Sequence, residues 1–286
     1  MEFLELCIPA KNTEKQYLEA FIMNLEGLCT EVIATCKKTG SYILNEQQIL
    51  KKVGFDSKGI NDFVTHVDKG AEEMLVKEFK QLIPDSCFLT EEKTVEQEDR
   101  AYRWIIDPID GTTNFIHAMP FFCISVGLQH EGETILGVIY DMSRNECFYA
   151  VKDDISRLNG SPISVSDCQT LKDALLVTGF PYKDEGKLND WMHLFQHFVR
   201  STHGIRRLGS AALDLAYVAC GRFEAFYEYG LSPWDIAAGA FIVKQAGGKV
   251  SDYSGGDNYL FGKELLAGNG AINDELRSVI NAHFNR

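Results

Sequence analysis

The stretch Trp104-Ile105-Ile106-Asp107-Pro108-Ile109-Asp110-Gly111-Thr112-Thr113-Asn114-Phe115 constrains this chain more than any other. It opens as an apolar strand, Tyr102 to Ile106, with Arg103 its one charge, and the pattern predicts that the strand breaks at Pro108. Proline cannot donate to a sheet ladder and fixes its own φ, so the residues after it turn. Gly-Thr-Thr-Asn then reads as the start of a helix. Asp107 and Asp110 are thereby placed together at the carboxyl end of a buried strand, where sheet proteins commonly hold ligands. Two carboxylates that close repel unless a proton or a cation lies between them. Hard oxygen ligands on a tight turn suit Mg2+, and the amides of Gly111, Thr112 and Thr113 suit an anion. One reading is therefore a metal beside a phosphate cradle. The other is an ordinary Asp-Gly turn with Asp107 as a helix cap.

With 286 residues the chain has room for one large domain or two closely joined halves, and its 45% hydrophobic and 24% charged residues are those of an ordinary globular enzyme. The net charge of −13 disfavours nucleic-acid and anionic-membrane partners, which need a basic surface. An acidic protein still binds phosphate when a metal supplies local positive charge. Eight cysteines without a Cys-x-x-Cys pair, and a first segment without a basic, then apolar, leader, suggest a reducing, cytoplasmic setting.

Apolar spacing predicts a long helix from Glu14 to about Lys38, with Gly40 as its stop, and Asp68 reads as the cap of a second helix over Lys69 to Leu82. A short strand at Cys87 to Leu89 runs into Glu91-Glu92, which alone is a solvated loop. Three extended segments, Cys123 to Gln129, Thr134 to Asp141 and Glu146 to Val151, read as an antiparallel meander in a mixed sheet. A soft boundary falls at residues 153–163, giving halves of 1–158 and 159–286 within one compact unit. The second half carries a helix with His193 and His197 one turn apart. Such a pair can bind zinc, but His-Leu-Phe-Gln-His lacks the glutamate of a protease helix and reads as packing. Arg206-Arg207-Leu208-Gly209-Ser210-Ala211-Ala212 opens a small-residue helix, an aromatic strand carries Glu228, and Ser232-Pro233-Trp234-Asp235 starts the next helix.

Asp107-Pro-Ile-Asp110-Gly-Thr-Thr-Asn-Phe and Trp234-Asp235-Ile-Ala-Ala-Gly239, about 120 residues apart, resemble the two signatures of the inositol monophosphatase family. The resemblance extends through Asp62-Phe-Val-Thr65-His-Val-Asp68, Glu91-Glu92, Thr178-Gly-Phe-Pro-Tyr182, Gly209-Ser-Ala-Ala-Leu-Asp214 and Gln245-Ala-Gly-Gly-Lys-Val-Ser-Asp252, nearly the whole chain. It implies an α+β fold in α-β-α-β-α layers with mixed, largely antiparallel sheets. It further implies a homodimer and hydrolysis of phosphate monoesters with two or three Mg2+, with Mn2+ as a substitute and Li+ inhibitory. By matching motif positions, Glu91, Asp107 and the Ile109 carbonyl would hold one metal, and Asp107, Asp110 and Asp235 a second. Asp68, Glu91 and Thr112 would sit at the attacking water, and Asp68 and Glu91 also near a weaker third metal. Gly111 and Thr112 would take phosphate, and Ser210, Ala211 and Glu228 would line a small phosphorylated polyol. Val67 and Thr90 depart from the residues the family often has before the aspartate and the glutamate, and Lys152 to Leu158 lacks its usual glycines.

The resemblance points to inositol 1-phosphate as substrate. Fructose 1,6-bisphosphate and 3′(2′),5′-bisphosphate nucleotides are the alternatives within the superfamily. A non-catalytic binding homologue is the alternative outside it, and the presence of all five acids (Asp68, Glu91, Asp107, Asp110, Asp235) argues against that.

Overall fold

The computed structural model describes residues 25–53, 57–96, 98–181 and 185–284. Helix α1 spans Leu25–Val53 and α2 Ser57–Leu82. Leu25, Cys29, Val32, Cys36, Thr39, Ile43, Gln47 and Leu50 are buried along one face of α1, a spacing that continues past Gly40. Gly40 therefore does not stop the helix. A Cβ there would stand 2.8 Å from Tyr140 Cε1, so the glycine marks close packing rather than a terminus. The part of the expected first helix before Leu25 lies outside the described residues. Asp68 is likewise not a cap: α2 begins at Ser57, and Asp68 sits in its interior among buried Val64, Val67, Ala71 and Leu75.

The first sheet runs in chain order: β1 Cys87–Thr90, β2 Tyr102–Asp110, β3 Cys123–His130, β4 Glu133–Asp141, β5 Glu146–Val151, β6 Arg157–Leu158 and β7 Ser161–Pro162. Only β1 and β2 pair in parallel; the rest is the expected antiparallel meander. Pro108 does not end β2. The register jumps instead, pairing Asp107 with Ser125 and Asp110 with Cys123, so one extra residue bulges out and absorbs the proline's missing donor. In the glycine-poor segment after β5, Asp153 takes φ +63° and Arg157 closes on Asp154.

After the five-residue α3 (Thr112–Ile116), the helices α4 (Leu188–Ser201), α5 (Ala211–Ala219), α6 (Pro233–Gln245) and α7 (Asn273–His283) accompany the second sheet. That sheet is ordered β11 (Lys249–Ser251), β12 (Glu264–Gly268), β10 (Ala225–Tyr229), β8 (Leu175–Thr178), β9 (Gly204–Arg206), with β12 antiparallel to both its neighbours. The short strands β9 and β11 have no apolar run to announce them and were not expected from the sequence.

Three buried clusters define the layers. α1 and α2 cover one face of the first sheet, where Phe79 stacks on Trp104 at 4.6 Å between ring centroids. α5 and α6 fill the space between the sheets. α4 and α7 cover the far face of the second. The order is α-β-α-β-α, as the resemblance implies. α6 is buried on every side from Ile236 to Val243, which suits a helix held between two sheets. Glycines set its distances. A Cβ on Gly137 of β4 would lie 2.9 Å from the Ala238 carbonyl oxygen, and one on Gly239 would lie 2.6 Å from Leu215 Cβ of α5.

Candidate metal and phosphate site

The bulge in β2 and the first turn of α6 converge. One carboxylate oxygen from each of Asp107, Asp110 and Asp235 lies within 4.8 Å of the others. The backbone builds this locally. Asp107 Oδ1 accepts from the Ile109 amide at 2.9 Å, which holds the carboxylate over the bulge. Thr112 Oγ1 donates to the Ile109 carbonyl at 3.0 Å and ties the following turn to it. Gly111 supplies the turn at φ +94°, a region that favours glycine. A Cβ there would stand 3.0 Å from the Phe121 carbonyl oxygen and 3.2 Å from that of Gly209.

The second half contributes directly. Asp110 Oδ2 accepts from Ser210 Oγ at 2.6 Å and from the Ala212 amide at 2.7 Å, so the start of α5 grips a first-half carboxylate. Asn114 Nδ2 donates to the carbonyls of Phe121 and Leu208, at 2.7 and 2.8 Å, and pins the loop before Ser210. Asp235 Oδ2 accepts from the Ser232 amide at 2.7 Å, the ordinary first-turn role its position suggests, while another of its oxygens can face the cluster.

Charge is the outstanding feature. Burial pushes the Asp107 carboxyl well above the usual range, helped by Glu91, Asp110, Asp235 and Asp68 in that order. Burial and Asp235 push Asp110 to about 7, against the lowering effect of its Ser210 and Ala212 hydrogen bonds. Asp68 rises to about 8 through burial and the nearby Glu92, Glu91 and Glu72. Among the described residues no lysine or arginine pairs with Asp107 or Asp110. Acids clustered out of water without a counter-cation must take up protons or bind metal. The three donors are carboxylates, all hard oxygens, and they fit Mg2+ or Mn2+ rather than a metal that prefers sulfur or nitrogen.

Glu228, at the end of β10, is raised to about 8 by burial and by Asp235, with Arg207 opposing. It therefore lies close to the same cluster, near Asp235 and Asp110. The structure thus brings Asp107, Asp110 and Asp235 together, with Ser210 on Asp110 and with Glu91, Asp68 and Glu228 close enough to act on the cluster's charge. His193 and His197 are elsewhere: His193 is exposed, and His197 faces His283 of α7 at 4.8 Å between ring centroids.

Sequence reasoning missed four residues here. Glu72, wholly buried one turn beyond Asp68, takes its hydrogen bonds from the loop that carries Glu91. Gly179 is the floor beneath Glu228, whose carboxylate lies 2.1 Å from where a Cβ would be. Buried Asp214 has an Oδ1 without a hydrogen-bond partner and is pushed well up by burial, Glu228 and Asp110. Asn114 was read only as part of a helix start. The one usable signal was the helical i, i+4 spacing of Asp68 and Glu72, hidden by placing Asp68 at a cap.

The sequence pattern of the inositol monophosphatase family matches residues 24–285. The protein named Nus factor SuhB of Escherichia coli strain K12 is 40% identical over 238 residues, covering 83% of this chain and 89% of that one. The solved structure of an inositol monophosphatase from Anabaena superposes with TM-score 0.81 at 35% identity, over 91% of this chain and 97% of its own. The IMPase of Thermotoga maritima gives 0.76 at 34% identity, over 90% and 98%.

Proposed function

Because the chain belongs to the inositol monophosphatase family, we propose that it hydrolyses the phosphate monoester of a small polyol, inositol 1-phosphate foremost, with Mg2+ as its cation. The observation that carries this reading is the cluster of Asp107, Asp110 and Asp235 opening beside the Gly111 turn.

In this reading Glu91, Asp107, Asp110, Asp235 and the Ile109 carbonyl would hold the cations, which would neutralise the acids and lower the pKa of a coordinated water. The chain's own groups do the rest. The Thr112 hydroxyl proton is committed to the Ile109 carbonyl, so its oxygen is left to accept a hydrogen bond from the water. That orients the water's lone pair toward phosphorus. Asp68 and Glu91 border the same place and stabilise the positive charge gathered there. The amides of Gly111 and Thr112 hold phosphate oxygens. Attack by the water oxygen forms a new P–O bond and breaks the bond to the polyol oxygen; of the water's two protons one stays on the released phosphate and the other ends on the polyol hydroxyl. Glu228 accepts hydrogen bonds from polyol hydroxyls, with Ser210 and Ala211 lining the approach.

The same reading takes Li+ as inhibitor, Mn2+ as substitute, a homodimer in the cytoplasm, and neither nucleic acid nor membrane as partner. The net charge of −13 supports the last point. No helix among the described residues is long and apolar enough to cross a membrane. The relatives named Nus factor SuhB carry no substrate in their name, so a direct assay has to find it.

That assay is phosphate release with Mg2+, with and without Li+, from inositol 1-phosphate, fructose 1,6-bisphosphate and adenosine 3′,5′-bisphosphate. Inositol 1-phosphate is expected to turn over fastest and Li+ to slow it. Preference for another ester would keep the site and change the substrate. Asp110→Asn, which can keep its acceptor toward Ser210 and Ala212, is expected to fold normally and lose on the order of a thousandfold in rate. Near-normal turnover in that variant would refute the assignment.

A further inference from the structure

We propose that Glu72 is a positioning residue that fixes the Glu91 loop for cation binding; this rests on the reading of Glu91 as a metal ligand. Glu72 lies in α2, has no exposed surface, and its carboxylate takes four hydrogen bonds from one short stretch of chain. Oε1 accepts from Thr90 Oγ1 at 2.8 Å, the Thr94 amide at 2.8 Å and Thr94 Oγ1 at 2.7 Å. Oε2 accepts from the Glu92 amide at 2.8 Å.

A buried carboxylate normally finds a lysine or arginine. This one is compensated instead by backbone amides and hydroxyls on both sides of Glu91, and β1 ends among them at Thr90. The turn needs holding, because Lys93 at its tip is a non-glycine residue at φ +55°. Glu72 also lies one helical turn from Asp68, close enough to raise its pKa. A single side chain thus ties the helix that carries Asp68 to the loop that carries Glu91. It touches neither substrate nor cation and acts through the backbone.

Glu72→Gln keeps the shape but turns one acceptor into a donor, which must then oppose at least one of the amides or hydroxyls it served. Three measurements follow. In metal-free protein, hydrogen exchange at the Glu92 and Thr94 amides is expected to quicken by about tenfold or more, as for a lost buried hydrogen bond to a charged group. Mn2+ affinity without substrate, read from free Mn2+ by electron paramagnetic resonance, is expected to fall roughly 10- to 100-fold, the usual effect of removing a group that orients a metal ligand. The Mg2+ half-saturation for phosphate release is expected to rise in step, with a smaller loss of kcat at saturating Mg2+. Phe79→Leu, which loosens α2 against Trp104 away from the loop, serves as control and is expected to lower Tm and leave Mn2+ affinity unchanged.

Mn2+ affinity within about twofold of the parent, unaltered exchange at both amides, or an equal loss of affinity in Phe79→Leu overturns the proposal. If Glu72→Gln does not fold, Thr94→Val deletes one of the four bonds alone; it is expected to lower Mn2+ affinity about threefold, and an unchanged value overturns the proposal equally. If the parent protein releases phosphate from none of the esters yet Glu72→Gln still weakens Mn2+ binding, the proposed function fails and the role of Glu72 stands.

Discussion

Gly179 and Glu228 show how a residue without a side chain can decide what a neighbour does. Gly179 follows β8, where Thr178 Oγ1 donates to the Tyr227 carbonyl at 2.7 Å and locks β8 to β10. The Glu228 carboxylate then lies directly over Gly179, 2.1 Å from the position of a Cβ. In Gly179→Ala that carboxylate must swing away, which is easy for the end of a flexible side chain. The variant is therefore expected to stay within about 1 kcal/mol of parental stability, by chemical denaturation. Its KM for a polyol phosphate is expected to rise about tenfold, one hydrogen bond to a charged group, with kcat less affected. Hydrolysis of 4-nitrophenyl phosphate, which has no polyol hydroxyls, is the comparison. If KM for both esters moves equally, Glu228 does not read the polyol. At this scale the pair of Asp107 and Asp110 was legible from the residues, because two carboxylates share one turn, whereas Asp68, Glu91 and Asp235 each had an ordinary reading and stood out only through the family resemblance. Gly179 and Glu72 were legible neither way. A glycine's neighbour and a glutamate's donors lie far away in sequence, and nothing local announces them.

Among the elements, periodicity located the helices and misplaced their ends. The apolar stripe of α1 passes Gly40 because Tyr140 of β4 occupies the space, so a stop signal was in fact a contact signal. Asp68 resembled a cap because polar residues surround it, whereas α2 already runs from Ser57, well before it. Pro108 resembled a strand end because its bulge, visible only from the pairing with β3, was not in the pattern. The strands of the meander needed no such partner knowledge and came out within one residue. α6 carries the most consequence, since it brings Asp235 to the β2 bulge while resting on Gly137. Gly137→Ala presses a methyl on the Ala238 backbone, which cannot rotate away, and is expected to cost about 1–3 kcal/mol. If α6 sets where Asp235 sits, the Mg2+ half-saturation should also rise by severalfold. Lower stability with an unchanged Mg2+ requirement would show that Asp235 finds its place by other means.

At the scale of the molecule, the acid cluster is a joint as well as a site. Asp107 and Asp110 come from the first sheet, Asp235 from a helix between the sheets, and the Asp110 carboxylate is held by Ser210 and Ala212. We take the halves 1–158 and 159–286 as one unit on that account. The joint carries a proton linkage whose sign can be worked out. Asp68, Asp107, Asp110, Asp214 and Glu228 all have folded-state pKa values above those of the unfolded chain, with Asp110 at about 7 and Asp68 and Glu228 at about 8. Raised carboxyls bind protons more tightly when folded, so their stabilisation is full below about pH 4, the unfolded value, and is lost as pH rises through the folded ones. Glu146 and Asp154, lowered by Arg222 and Arg157, act in the opposite sense but only near and below their ordinary range. Metal-free protein in chelator is therefore expected to melt at a lower temperature at about pH 8 than at about pH 5. On the proposed reading Mg2+ would bind the deprotonated cluster, so its stabilisation should run the other way. At a hundredfold excess over its dissociation constant, Mg2+ is expected to add about 2.7 kcal/mol at about pH 8 and distinctly less at about pH 5. Differential scanning calorimetry at the two pH values, with and without Mg2+, decides it. A metal-free Tm that climbs between them, or an Mg2+ gain equal at both, would mean that these acids are not the groups that cation and proton compete for.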